Sequence, residues 1–245
     1  SLGYREFYDK LREGSMPSTS QINIYTFEEK FRELLNEGYE ILYVGLSSAL
    51  SGTFNSANMA RNNILEENPN AKISVVDSLS VSMGVGMLVK KSCDMIEEGK
   101  DLQYITTWIE ENKNKVIHSI LVDDLKHLKR GGRISASTAA VGSLLNIKPI
   151  LKIDNNGAVE ATEKIKGKKK ALKYLATVVK EKALNIESET LYIMHGDALE
   201  EAQALKDIIL QELNFKEIKI QYIGTVIGSH GGPGTIATIF WGNER

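Results

Sequence analysis

The apolar run Ile41-Leu42-Tyr43-Val44-Gly45-Leu46 constrains the fold most, because a hydroxyl-rich segment is joined directly to its carboxyl end. That segment is Ser47-Ser48-Ala49-Leu50-Ser51-Gly52-Thr53, and helical periodicity then begins at Phe54. A short run without polar alternation suits a strand covered on both faces, as in a parallel sheet. Phe54 to Glu67 reads as a helix whose apolar positions are Phe54, Ala57, Met59, Ala60, Ile64 and Leu65. Strand, hydroxyl-rich turn and helix start together set hydroxyls and free backbone N–H groups at the carboxyl end of a strand. Open α/β sheets bind ligands at that edge, and helix N-termini favour anions. The pattern predicts a small anion or a carboxylate there.

The same grammar extends through the first half. Tyr4 to Arg12 is helical in pattern, and Met16-Pro17-Ser18-Thr19-Ser20-Gln21 is a loop. Thr26-Phe27-Glu28-Glu29 has the spacing of a capping box, opening a helix that Gly38 closes. Ile73 to Asp77 is a second strand ending in Ser78, Ser80 and Ser82. Two more helices read over Met83 to Glu98, closed by Gly99, and over Leu102 to Asn112. The second half reads differently. Val116 to Val122 is a strand, and Lys148–Ile153 and Val159–Ile165 flank the turn Asn155-Asn156-Gly157 as a hairpin. A helix from Lys168, a strand at Leu191–Met194 and a helix from Leu199 come next. Strands at 218–223 and 236–241 are separated by the glycine segment Gly228 to Gly234. The expected fold is α/β: a Rossmann-like parallel-sheet domain over 1–113 and an α+β domain with a mixed sheet over 114–245.

Composition removes several functions. The formal net charge of −2 argues against a nucleic-acid partner bound by bulk electrostatics. The single cysteine, Cys93, excludes an internal disulfide framework and suits a reducing cytoplasm. No apolar run approaches the roughly 20 residues of a membrane span, and no signal-peptide pattern is present. The chain opens at Ser1, so its natural start is expected upstream. His118, His127, His195 and His230 show no metal-ligand spacing, and no metal is expected. After Gly228 a Walker loop would need glycine where Pro233 stands, and no lysine comes after it, so no nucleotide cofactor is expected. Ala49-Leu50-Ser51-Gly52-Thr53 lacks the glycines, two residues to either side of the serine, that a nucleophile elbow has.

Each candidate keeps two readings. Ser47, Ser48, Ser51 and Thr53 either cap a helix or hold a ligand, and capping accounts for only one or two of them. Thr19 and Ser20 are either loop residues or head-group ligands. His118 reads as a core residue and His127 as solvent-facing, while His195 fits core or site. His230, between glycines, is either part of a turn or a group that a ligand approaches. Arg130 and Arg133 bracket Gly131-Gly132 and are either surface charge or two guanidinium forks for a carboxylate or phosphate.

Five segments in order carry a family resemblance. They are Thr19-Ser20-Gln21; Ser47 to Thr53; Leu128-Lys129-Arg130-Gly131-Gly132-Arg133-Ile134-Ser135; Asn146-Ile147-Lys148-Pro149-Ile150; and Ile227-Gly228-Ser229-His230-Gly231-Gly232-Pro233-Gly234. Together they resemble the DegV family of bacterial fatty-acid-binding proteins, which includes the carrier subunits of fatty-acid kinase. The resemblance implies two α/β domains with a fatty acid between them, its carboxylate at the polar end of an apolar tunnel. It maps carboxylate-binding positions onto Thr19 and Ser51, with Ser20, Gly52 and Thr53 beside them, and suggests Arg130 and His230 as further participants. Three departures stand out. The family's opening strand with its Asp-Ser-Thr segment is absent, Ala49 occupies a usual glycine position, and Gly231 replaces the usual hydroxyl after the histidine.

The resemblance implies a lipid carrier rather than an enzyme. Its partners would be a long-chain fatty acid and the catalytic subunit of a fatty-acid kinase, and no cofactor of its own is expected. Burial of an acyl chain contributes roughly 0.8 kcal/mol per methylene, so the head group needs orientation more than attraction. Apolar positions of the 82–98 helix, Val85, Met87, Leu88 and Met95, suit either a tunnel wall or ordinary core. The alternative is a hydrolase or phosphotransferase using Ser51 or His230, which would need an oriented acid or base partner.

Overall fold

The computed structural model describes residues 2–134 and 146–245; Ser135, at the end of the third resemblance segment, lies outside them. The chain divides into two compact units, Ser20–Asn114, and Ser1–Thr19 together with Lys115–Arg245. The expected division at 113/114 gave the first 19 residues to the other unit. Helix α1 (Tyr4–Arg12) explains the difference. Tyr8 has no exposed surface, and its hydroxyl donates to the Ile223 carbonyl at 2.8 Å. Phe7 and Leu11 are buried with it, and Arg12 Nη1 pairs with Asp197 Oδ2 at 2.6 Å. A nine-residue amphipathic helix displays an apolar face in its sequence, but not which layer that face covers.

In the unit Ser20–Asn114 the elements are α2 (Ile24–Asn36), β1 (Ile41–Gly45), α3 (Thr53–Glu67), β2 (Ile73–Asp77), α4 (Met83–Glu97) and α5 (Leu102–Asn112). Strands β1 and β2 pair in parallel, with Ile41 opposite Ile73 and Gly45 opposite Asp77, as alternating strand and helix patterns predict. Phe27, Phe31, Ile41, Ala57, Ala60, Ile64 and Ile73 form a core. Met59, expected on the apolar face of α3, is 51% exposed, because it lies about 200° around the helix from Ala57. The start of α2 also departs from expectation. Asn23 is the cap, its side chain accepting the Thr26 N–H at 2.9 Å, so Thr26 lies inside the helix. Gly38 and Gly99 end α2 and α4 at φ +87° and +78°, where glycine costs least.

The other unit holds β3 (Val116–Leu121), α6 (Lys126–Arg130), β4 (Ile147–Ile153), β5 (Val159–Lys166) and α7 (Lys168–Lys182). After them come β6 (Thr190–His195), α8 (Leu199–Leu210), β7 (Glu217–Tyr222), α9 (Thr225–Gly231) and β8 (Ile236–Trp241). These six strands form one sheet in the order β5-β4-β3-β8-β6-β7. Among the described residues only β6 and β7 pair in parallel there, joined by α8, so the sheet is mixed. The β4–β5 hairpin turns at Gly157 (φ +79°), where the Asp154 carboxylate accepts the Asn156 and Ala158 N–H groups. Leu172, Leu175 and Val179 of α7 and Leu205 of α8 pack with Leu121, Ile150, Leu191, Ile193 and Phe240 of the sheet. The glycine segment is not wholly a loop. Helix α9 runs through Gly231, and a Cβ at Gly228 would lie 2.5 Å from the Tyr8 hydroxyl oxygen. Glycine at 228 therefore serves close packing rather than flexibility.

Candidate functional site

The hydroxyl turn lies between β1 and α3 in the unit Ser20–Asn114. Its base is fixed by backbone bonds: Ser47 N–H donates to Ser80 O at 3.0 Å, and Leu50 and Ser51 N–H groups donate to Ser47 O. Ser47 is fully buried and its hydroxyl accepts the Ala49 N–H, which makes it a structural hydroxyl. Ser48 N–H points at the Asp77 carboxylate, 3.2 Å from Oδ1. Ser51 and Thr53 differ from these. Their hydroxyl oxygens lie 3.0 Å apart, and Ser51 Oγ also accepts the Thr53 N–H at 3.3 Å. A mutual bond between two hydroxyls uses one of their two hydrogens, which leaves the other to donate to an acceptor. Gly52, at the N-cap of α3, makes no side-chain cap, so the N-terminal dipole adds to that donor field. Both donors are neutral, and such donors can orient an anion.

In the other unit, Thr19 Oγ1 lies 2.9 Å from His230 Nε2, at the last turn of α9. His230 Nδ1 is buried and has no hydrogen-bond partner among the described residues. It lies against Gly131, where a Cβ would come within 2.2 Å of Nδ1. A Cα–H contact suits a bare ring nitrogen better than an N–H, which assigns the proton to Nε2 and makes Thr19 its acceptor. The Thr19 hydroxyl hydrogen is then available to a ligand. His230 is held below its ordinary pKa, first by burial and then by Arg133 and Arg130, so its ring is neutral near pH 7.

Arg130 is exposed at the end of α6, with Nη2 3.4 Å from His127 Nδ1, and Arg133 donates to the Gly131 carbonyl. Ser20 is exposed. His127, expected to face solvent, is only 5% exposed. Its ring occupies the space beside Gly232, where a Cβ would fall 2.4 Å from Cδ2. The partner glycine is 105 residues away in sequence, and a five-residue helix has too little periodicity to reveal the contact. The two segments thus exchange contacts, His127 against Gly232 and His230 against Gly131. His118 is buried in β3. His195 is buried too, with Nδ1 accepting the Ala198 N–H at 3.2 Å, so it belongs to the core. Met87, Leu88 and Met95 are buried. Gln21 gained no role from the sequence, yet its carboxamide lies directly on Gly52.

A family model described as "Uncharacterised protein, DegV family" matches residues 1–242. The chain belongs to the DegV family. A curated relative, the DegV domain-containing protein CPE0026 of Clostridium perfringens, is 47% identical over 241 residues, covering 98% of this chain and 83% of the relative. Among solved structures, a fatty-acid-binding DegV family protein of Thermus thermophilus is similar at 32% identity and TM-score 0.88, over 99% of this chain and 85% of that one. The fatty-acid-binding DegV family protein SAG1342 of Streptococcus agalactiae is similar at 31% identity and TM-score 0.87, with the same coverages. Among the described residues of this DegV-family chain, no helix is long and apolar enough to cross a membrane.

Proposed function

We propose that this DegV-family protein binds one long-chain fatty acid and presents its carboxylate to a separate kinase. The observation that carries the reading is the pair of close hydroxyl sets, Ser51 with Thr53 at 3.0 Å and Thr19 with His230 at 2.9 Å. Neutral donors orient a carboxylate while burial of the acyl chain supplies most of the affinity. The fatty-acid-binding relatives from Thermus thermophilus and Streptococcus agalactiae support the same ligand class. The residues we assign to the ligand are Thr19, Ser20, Ser51, Gly52, Thr53, Arg130 and His230. In place of an oriented base, the Ser51 hydroxyl meets the Thr53 hydroxyl and amide, which favours binding over nucleophilic catalysis.

The kinase is assigned to the basic surface of Arg130, Arg133 and Lys164–Lys170. Lys168, Lys169 and Lys170 occupy the first turn of α7 with no acidic residue in that turn, against the helix dipole; Lys168 pairs with Glu201 at 2.8 Å, and Lys169 and Lys170 are exposed. Such a local cost is expected where a charged partner offsets it. An acidic kinase face fits, and the single exposed, unpaired Cys93 suits the reducing cytoplasm in which we place the protein.

The test is the double variant Thr19→Ala/Ser51→Ala. Each lost hydroxyl should weaken binding of a long-chain fatty acid by about 0.5–1.5 kcal/mol, measured by titration with folding checked by circular dichroism. Unchanged affinity in a folded double variant refutes the assignment of these hydroxyls.

A further inference from the structure

Gly52 is not glycine for the sake of its backbone. Its φ of −70° and ψ of −3° are right-handed helical values open to any L-residue. It is glycine for space: a Cβ at this position would lie 1.9 Å from Gln21 Oε1 and 2.9 Å from Gln21 Cδ. The carboxamide of Gln21 therefore presses on the backbone between Ser51 and Thr53, the two residues whose hydroxyls are 3.0 Å apart. Gln21 is a polar residue in an exposed stretch of chain, yet its functional end is spent on a backbone contact. Gly52 also accepts, through its carbonyl, the Ser56 N–H at 3.1 Å, so a shift at Gly52 moves both the turn and the first bond of α3.

We propose that Gln21 is a positioning residue for the fatty-acid head group. It clamps Gly52 so that the Ser51–Thr53 pair presents its spare hydroxyl hydrogen, and the N-terminus of α3, in one fixed direction. The proposal rests on the reading of the 51–53 turn as a carboxylate site. It assigns Gln21 a role distinct from that of Thr19, two residues earlier: Thr19 donates to the ligand, whereas Gln21 holds the turn that donates.

The contact can be broken from either side. The obstructing atoms belong to the end of a flexible side chain, so Gly52→Ala displaces the carboxamide without unfolding the turn, and Gln21→Ala removes it. Palmitate and hexadecanol, equal in chain length, serve as ligands for the wild type, each single variant and the double variant, alongside urea unfolding. Each single variant should weaken palmitate binding about 5- to 10-fold, with an unchanged urea midpoint and unchanged hexadecanol binding. The double variant should be no weaker than either single one, because both remove the same contact. Three results overturn the proposal: wild-type palmitate affinity in both single variants, additive losses in the double variant, or equal losses for acid and alcohol. Failure of the wild type itself to bind palmitate overturns the carrier reading as well, so the two failures are told apart.

Discussion

Gly131→Ala is the perturbation that the structure specifies most closely. Gly131 has φ −73° and ψ −10°, so alanine meets no backbone penalty there. Its Cβ, however, would lie 2.2 Å from His230 Nδ1, 2.8 Å from His230 Cε1 and 3.3 Å from the His127 carbonyl oxygen. The imidazole is a rigid ring whose other nitrogen is bonded to Thr19, so it cannot yield at Nδ1 without moving Nε2. Overpacking of this kind costs about 1–3 kcal/mol of stability. Displacing the ring from Thr19 costs a further 0.5–1.5 kcal/mol or so in ligand binding, or about 2- to 13-fold in affinity. The neighbouring Gly132 is the control. It has φ +69° and nothing within 4 Å of its Cβ position, so Gly132→Ala should lose about 1 kcal/mol of stability through backbone strain and leave affinity unchanged. Urea unfolding and fatty-acid titration on both variants separate the two effects. Adding His230→Ala to Gly131→Ala should recover part of the lost stability, since the clash is gone. A Gly131→Ala protein with wild-type stability and affinity refutes the His230–Gly131 contact and the fixed Thr19 donor built on it.

Two other expectations are independent of that contact. His127, His195 and His230 are each held below the ordinary value of 6.5, chiefly by burial. The folded state then binds fewer protons than the unfolded one, so stability is full above pH 6.5 and falls as the pH drops below it. The slope should approach about 1.4 kcal/mol per pH unit for each histidine protonated only when unfolded, and a urea midpoint that stays flat from pH 7.5 to 5.5 contradicts these environments. Neutralising Arg133, Lys164, Lys166 and Lys169 should leave fatty-acid binding intact while slowing the kinase encounter and reducing its salt sensitivity; a normal phosphorylation rate at low salt places the docking face elsewhere.

Much of the fold was legible because local signals agreed with tertiary demands. The apolar runs at Ile41–Gly45 and Ile73–Asp77 form the parallel pair, and the Asn155-Asn156-Gly157 turn forms the hairpin. Misreadings occurred where a distant partner decides the outcome. His127 is buried against Gly232, and Gly228 lies within a helix, close against Tyr8. Residues 1–19 join the second unit through Tyr8, Ile223, Arg12 and Asp197. At the expected capping box, the helix instead begins at Ile24 with Asn23 as its cap, about one turn before Thr26. Of the proposed site, the hydroxyl motifs of Ser51 and Thr19 are visible in the sequence, while the contact of Gln21 with Gly52 is not. Its only trace in sequence is a glycine at 52 that the helical backbone does not require.

The most direct test of the carrier account is mass spectrometry on the purified full chain, before and after denaturation and organic extraction. The account predicts about one equivalent of a long-chain fatty acid per chain, intact and unmodified, and less from the Thr19→Ala/Ser51→Ala protein. A wild-type protein that releases no fatty acid and takes up none when it is supplied, or one that turns over acyl substrate alone, contradicts it.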